Sequence, residues 1–145
     1  MFSDGYTQET ALARVRQMLD DGVSDAELSR LSVHEEALVR AAVAAHPGTS
    51  VLALLRLASD EATTVRAGVA RNPRPDMPED IHEQLAQDKR VEVRMALAGN
   101  PSLGREVLGK LSRSRDKDVA LVARRRIAAE GGARGMLARL SMPRG

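Results

Sequence analysis

The feature that most constrains the fold of this chain is an internal repeat of 26 to 28 residues. Valine-arginine pairs recur at Val39-Arg40, Val65-Arg66 and Val93-Arg94. A residue followed by proline comes after each pair at one offset, at His46-Pro47, Asn72-Pro73 and Asn100-Pro101. A leucine lies eight residues before each of Val39, Val65, Val93 and Val119. A unit this short cannot bury an apolar face alone, so the repeat predicts units that stack on one another.

Each unit has the pattern of two short helices. In the first segment apolar residues recur at i, i+4 and i+5, as at Val65, Val69 and Ala70, which is one stripe of a helix. The proline that follows disfavours helical geometry at the residue before it, so this helix ends at asparagine or histidine. In the second segment leucines lie at i and i+3, as at Leu54 and Leu57. The sequence therefore predicts an all-α solenoid of about four to five helix-turn-helix repeats.

We expect one domain over residues 1–145, with different sequence at its two ends. Residues 8–32 read as an N-terminal cap, in which Ser24 and Glu27 have capping-box spacing. The repeats occupy residues 33–118, and residues 119–130 read as a C-terminal cap helix that ends at Gly131-Gly132. Residues 131–145 form a tail that is either folded back, flexible or an interaction segment.

The ordered columns V-R-x-x-V-A-x-N-P, a leucine helix and L-A-x-D resemble the leucine-rich repeat variant family, over residues 31–123. This family is similar in style to HEAT repeats. The resemblance implies a right-handed superhelix in which α and 3₁₀ helices alternate. Three departures are visible: His46 stands for asparagine, Ser114 stands for aspartate, and two extra residues lie within 73–78. Some family members carry an iron–sulfur cluster domain, which a chain without cysteine does not share.

Composition and motifs argue against several classes of function. The absence of cysteine excludes disulfides, cysteine zinc sites and thiol catalysis. No phosphate loop, dinucleotide fingerprint or nucleophile–base pair is recognisable, and the three histidines fall in three different units. We therefore expect no enzyme, no cofactor and no metal site. The chain contains no apolar run long enough for a transmembrane helix and no leader pattern at its start, which favours the cytoplasm.

The recurring polar residues of the repeat have a structural and a functional interpretation. Arg40, Arg66 and Arg94 could form a strip that grips phosphates or carboxylates. We favour structural pairs instead, because Asp60 and Asp88 lie six residues before Arg66 and Arg94. Asn72 and Asn100 are expected to close the turn before proline, a role that His46 would share. His82 falls in a leucine column, and we expect Ile81 to fill that position and His82 to turn outward.

The irregular loop after the second Val-Arg helix is one candidate partner site. Its candidate residues are Arg71, Arg74, Asp76 and Met77. Three prolines stiffen the loop, so it would lose little entropy on binding, and we expect Met77 to be exposed. The alternative interpretation is an insertion without function.

The basic C-terminal end is the other candidate. Residues 1–104 carry 11 basic and 16 acidic side chains, whereas residues 105–145 carry 11 basic and 4 acidic ones. Arg124, Arg125 and Arg126 could bind nucleic acid, an anionic membrane or an acidic protein face, or could be solvated surface. In the tail Met136, Leu137 and Leu140 share one helical face, which is typical of an amphipathic segment or of a strip that covers the last repeat.

A scaffold or adaptor that binds a protein through its solenoid surface is the function that the sequence favours. Nucleic-acid binding through the basic end is the alternative, although aromatic residues for base stacking are nearly absent. The sequence contains no indication of oligomeric state or of the partner's identity.

Overall fold

The computed structural model describes residues 11–17 and 19–143, and these residues contain helices and connecting turns without a strand. Residues 11–17 are helical and are called α1. The helices that follow are α2 (Asp25–Leu31), α3 (Ala37–Ala45), α4 (Val51–Leu57), α5 (Thr63–Arg71), α6 (Glu79–Ala86), α7 (Val91–Ala98), α8 (Arg105–Leu111) and α9 (Lys117–Ser141). The part of the predicted N-terminal cap before residue 11, and residues 144–145 of the tail, lie outside the described residues.

The helices stack in two rows, which confirms the all-α helical-repeat solenoid. The first helices of the units form one row, in which α3 packs along α5, α5 along α7 and α7 along α9. The second helices form the other row, where α6 packs against α8, and α4, α6 and α8 each pack on the first helix of their own unit. Packing within the first row is the more extensive. The right-handed sense of the stack remains a prediction.

The local sequence explains where the helices begin and end. The first helices α3 and α5 end at the residue before His46 and Asn72, as the following prolines predict. The second helices α2 and α4 begin after Ser24 and Ser50. The Ser24 hydroxyl oxygen accepts the N–H of Glu27, and the Ser50 hydroxyl oxygen accepts the N–H of Ala53. For α2 this is half of the predicted capping box, because the Glu27 carboxylate pairs with Arg30 instead.

The expected alternation of α and 3₁₀ helices is wrong for the described residues, since both helices of a unit are α-helical. Hydrogen bonds of the 3₁₀ type occur in the first and last turns of the helices and in the turns that connect them. Asp60 N–H, for example, donates to the Leu57 carbonyl oxygen at 3.1 Å, and Asp88 N–H donates likewise to Leu85. Seven to eight residues are enough for two α-helical turns, and the tighter bonds then close the end.

The core lies between the two rows and consists of aliphatic side chains. Its largest fully buried members include Leu28, Leu54, Leu57, Ile81, Leu85, Leu97 and Leu108. Small residues bring the first helices together: a Cβ atom added to Gly68 of α5 would lie 2.7 Å from the Ala41 carbonyl oxygen of α3. Glycine is therefore required where these two helices cross.

His82 is buried in this core, so the prediction that it turns outward is wrong. Its side chain is 4% exposed, and the neighbouring Ile81 is also fully buried. Its Nε2 atom has no hydrogen-bond partner among the described residues. Burial lowers the pKa of His82 below its ordinary value of 6.5, because the charged imidazolium loses its hydration.

The last helix does not end at Gly131-Gly132, as expected, but continues to Ser141. Its first turns join the core through Val119 and Ala123. From residue 131 to residue 143 every described side chain is exposed. A pair of glycines lowers helix propensity without terminating the helix, because neither glycine has a positive φ and the next proline is Pro143, just beyond the end of α9.

Candidate functional site

The asparagine column forms a hydrogen-bonded ladder between units. Asn72 Nδ2 donates to the carbonyl oxygens of Ala44 and His46 in the preceding unit, at 2.8 and 2.9 Å. Asn100 Nδ2 donates in the same way to Ala70 and Asn72. Each asparagine also closes its own turn, since Asn72 Oδ1 accepts the N–H of Arg74. The sequence predicts the role in the turn but not the bonds to the preceding unit.

Both ends of this ladder use other residue types. At the N-terminal end His46 Nε2 lies 3.0 Å from the Asp20 carbonyl oxygen, and its Nδ1 accepts the N–H of Gly48. At the C-terminal end Arg126 Nη1 donates to the carbonyl oxygens of Ala98 and Asn100. We call His46, Asn72, Asn100 and Arg126 the carbonyl ladder. The sequence carried a signal for the arginine, because Arg126 lies 26 residues after Asn100 in the same column.

The Val-Arg column forms a second ladder, with pairs that differ from the predicted ones. Arg40 Nε lies 2.9 Å from Asp60 Oδ2, and Arg66 Nε lies 2.7 Å from Asp88 Oδ2. Each arginine thus pairs with the aspartate of the following unit. The aspartate six residues earlier contributes only its backbone, because Arg66 Nη1 donates to the Asp60 carbonyl oxygen. Arg40 and Arg66 therefore make ion pairs within the fold, and the carboxylate partner differs from the predicted one.

The two aspartates are held in the charged form. Burial by itself raises the pKa of Asp88, but hydrogen bonds from the Arg66 side chain and the Arg90 N–H outweigh burial and bring the pKa below 3.8. Asp60 behaves in the same way, with Arg40 as its side-chain partner. These groups are engaged inside the fold, so Arg40 and Arg66 do not form a surface strip for an external ligand.

Arg94 belongs to the same column but lacks, in the described part of the chain, the ion pair that Arg40 and Arg66 make. Its Nη1 donates to the Asp88 carbonyl oxygen, and it has no carboxylate within ion-pair distance among the described residues. The position that an aspartate holds in the other units is occupied by Ser114.

The insertion loop is held in place by an ion pair within it and by a hydrogen bond to the preceding unit. Arg74 Nε lies 2.6 Å from Asp76 Oδ1, and the same guanidinium donates to the Thr49 carbonyl oxygen. The arginine lowers the pKa of Asp76 through this hydrogen bond. Met77 is 8% exposed and packs in the core, so the expectation that it is exposed is wrong. The loop needs an apolar anchor to cross between the rows, and Met77 supplies it.

An open groove lies on the row of first helices. We call it the first-helix groove; it has a volume of about 340 Å³ and is lined by Leu12, Thr63, Thr64, Ala67, Arg71, Arg90 and Glu92. These residues come from α1, from α5 and from the start of α7. A neighbouring groove of about 380 Å³ shares Thr63 and Arg90 with it and adds Glu61, Arg66 and Lys89. Arg71 therefore belongs to a helix-row surface and not to the insertion loop.

The basic C-terminal end is divided between two environments. Arg126 is part of the carbonyl ladder, Arg124 Nε donates to the Ser112 carbonyl oxygen, and the Arg125 side chain is exposed. Further along α9, Arg134 and Arg139 are also exposed, as are Met136, Leu137 and Leu140. The three consecutive arginines are thus not one patch, because successive residues of a helix point in different directions.

Metal-ligand clusters and membrane spans are both absent from the described part of the chain. Within residues 11–17 and 19–143, no three side chains of histidine, aspartate or glutamate lie close enough together to hold a metal ion. In that same part of the chain no helix combines the length and the apolar character needed to cross a membrane.

Comparison with known proteins identifies one repeat. The model of the family described as leucine rich repeat variant matches residues 37–62, which contain α3, α4 and the turn that follows. This match confirms the resemblance that the sequence columns indicated. No curated protein and no solved structure gives a match.

Proposed function

We propose that this protein, a stack of units of the leucine rich repeat variant type, is a scaffold or adaptor that binds a partner protein on its row of first helices. The match over residues 37–62 supports a repeat protein, and repeat solenoids use extended surfaces for binding. The grooves on the row of first helices support the choice of this face and of this mode of binding.

The observation that carries the proposal is the continuity of the first-helix groove with its neighbour. The shared residues Thr63 and Arg90 join the two into one surface that extends across successive units. Its floor includes Leu12 and Ala67, and its rim carries Arg71, Arg90 and Glu92. An apolar floor with charges of both signs around it suits a polypeptide, which offers apolar side chains, a polar backbone and charges together.

Curvature supports the same face. The first helices pack together more extensively than the second helices, because alanine and Gly68 occupy their contacts. A stack whose one row is more tightly spaced bends toward that row. We infer that the first-helix row is the concave side, where a bound segment would be in contact with several units at once.

The test is an affinity measurement with a matched pair of variants. Wild-type protein and Arg90→Glu, which reverses a charge shared by both grooves, are used to capture partners from a lysate with nuclease added. Arg105→Glu is the control, because it makes the same charge change at an exposed position on α8 in the other row. We expect one protein to be captured by wild type and by Arg105→Glu and lost with Arg90→Glu. Equal capture by all three proteins would refute the use of this face.

Nucleic-acid binding through α9 is a second candidate, and the exposed Arg125, Arg134 and Arg139 along one 25-residue helix favour it. Alanine at these three positions is the appropriate variant, because Arg126→Ala would break the carbonyl ladder. Each arginine that binds a phosphate should, when replaced, reduce the slope of log K against log salt by about 0.9 for duplex DNA. A complex whose affinity does not depend on salt would exclude this candidate.

A further inference from the structure

The three arginines of the Val-Arg column have one anchor in common. Each donates from Nη1 to the carbonyl oxygen six residues earlier, which belongs to His34, Asp60 or Asp88. In Arg40 and Arg66 the remaining edge of the guanidinium, Nε and Nη2, donates to both oxygens of one aspartate in the following unit. The repeat therefore builds a carboxylate position against each anchored guanidinium.

In the third unit this position has no carboxylate. Ser114 lies 26 residues after Asp88 in the aspartate column, and its Oγ accepts the N–H of Asp116. Asp60 Oδ1 accepts the N–H of Ala62 in the same way, so the turn is retained and only the acidic group differs. The Asp116 carboxylate has no hydrogen bond with Arg94 among the described residues; its Oδ1 caps α9 by accepting the N–H groups of Asp118 and Val119.

The surroundings of this position are basic. The turn from 113 to 117 exposes Arg113, Arg115 and Lys117, and its one acidic residue is the capping Asp116. Arg94 itself is half-buried. The Asp88 carboxylate interacts electrostatically with Arg94, but its hydrogen bonds are with Arg66. A half-buried guanidinium with unused donors attracts an anion more strongly than an exposed arginine does.

We propose that Arg94 is a binding site for a carboxylate group supplied from outside the chain. The ligand takes the place that Asp60 and Asp88 take in the other units, with both oxygens on the Nε and Nη2 donors of Arg94. The carboxylate is that of an acidic side chain on a partner protein or of a small carboxylic acid. The site does not depend on the proposed function, because it is built from the repeat register and not from the first-helix groove.

The site can be observed through the arginine Nε–Hε resonances in nitrogen–proton correlation spectra. The probes are sodium acetate, the peptide acetyl-Gly-Ser-Asp-Ser-Gly-amide and its Asn counterpart. We expect acetate and the Asp peptide to shift the Arg94 resonance saturably. The resonances of Arg40 and Arg66 should not move, because their carboxylate positions are filled. A spectrum of Arg94→Gln assigns the resonance.

Variants at the Ser114 position separate a specific site from general attraction. Ser114→Asp fills the carboxylate position from within and should weaken Asp-peptide binding by about tenfold or more. Ser114→Asn is its uncharged counterpart and should retain the Arg94 shift. Arg113→Gln makes the same change in net charge as Ser114→Asp, and it should weaken Asp-peptide binding by clearly less. Circular dichroism checks that each variant is folded. If Ser114→Asp is not folded, the loss of Asp-peptide binding is measured with Arg94→Gln by isothermal titration calorimetry.

The result identifies the source of the carboxylate. Binding of acetate and of the Asp peptide with equal affinity assigns the site to small carboxylic acids. Binding of the peptide about tenfold more tightly assigns it to an acidic protein segment. The proposal is overturned if neither probe shifts Arg94 at concentrations up to ~50 mM, or if Arg113→Gln weakens binding as much as Ser114→Asp.

Discussion

Replacement of Asn72 by alanine should be the most informative test of how the units are joined. The Asn72 side chain is fully buried and makes three hydrogen bonds, two to carbonyl oxygens of the preceding unit and one from the N–H of Arg74. Each such bond contributes about 1 kcal/mol net, and the two buried carbonyl oxygens left without a donor add to the cost. We expect the free energy of unfolding to fall by about 3–4 kcal/mol.

The assay is urea unfolding followed by far-ultraviolet circular dichroism. With a slope of about 2 kcal/mol per molar urea, the midpoint should fall by about 1.5–2 M. The matched control is Ser102→Ala, which removes a single exposed bond to the Pro73 carbonyl oxygen and should cost about 0.5 kcal/mol or less. A loss for Asn72→Ala no larger than that for Ser102→Ala would refute the ladder as a stabilising element.

A second variant separates the bonds between units from the turn. Asn72→Asp keeps the oxygen that accepts the Arg74 N–H but places a carboxylate oxygen against two carbonyl oxygens in place of the donor. If the bonds between units matter, this variant should be at least as unstable as Asn72→Ala at pH 7. Stability close to that of wild type would show that only the turn contributes, which would contradict the reasoning.

Three further outcomes are expected, each measured by urea or thermal unfolding. Gly68→Ala should cost about 2–3 kcal/mol, because its Cβ would meet the Ala41 carbonyl oxygen at 2.7 Å and α5 must move away; a neutral result would show that the helices separate freely. Asp88→Asn should cost about 2–3 kcal/mol at pH 7, because it leaves the buried Arg66 guanidinium without its anion; since the pKa of Asp88 is lowered, this difference should shrink as the pH falls below 3.8. His82→Leu should raise stability by about 1–2 kcal/mol at pH 8, because the buried Nε2 has no partner among the described residues. The lowered pKa of His82 means that the unfolded chain binds more protons, so wild type should lose stability as the pH falls below 6.5, and His82→Leu should lose less; a larger loss in the variant would count against this.

Much of the fold could be predicted from the sequence, because the repeat columns report short-range constraints. Pro47 and Pro73 end the first helices whatever surrounds them, and the leucine spacing fixes one apolar stripe on each second helix. The family match over residues 37–62 agrees with the columns read from the chain. The predicted turn roles of Asn72 and Asn100 also follow from residues adjacent in sequence.

Most of the errors concern the packing of units on one another, apart from the helix type within a unit and the end of α9. A separation of six residues favours Asp60 as the partner of Arg66. In the structure, however, the Asp60 carboxylate pairs with Arg40, which belongs to the preceding unit. The polarity of His82 and the irregular loop around Met77 predict surface positions, yet both side chains are in the core. Arg126 lies among other arginines in the sequence, although its bonds are to the unit before it.

The sequence by itself determined that the chain is a stack of about four to five units, their two-helix form and the columns of residues that recur. These depend on periodicity and on the local geometry of proline, asparagine and leucine. Only the tertiary structure decided which columns meet. Stacking brings residues 20 to 30 positions apart into contact, as Arg40 with Asp60 and Asn100 with Ala70, and this offset depends on how close helices such as α3 and α5 can approach. In the same register Ser114 takes the column position that Asp88 and Asp60 hold for Arg66 and Arg40, and the proposed carboxylate site at Arg94 rests on this difference.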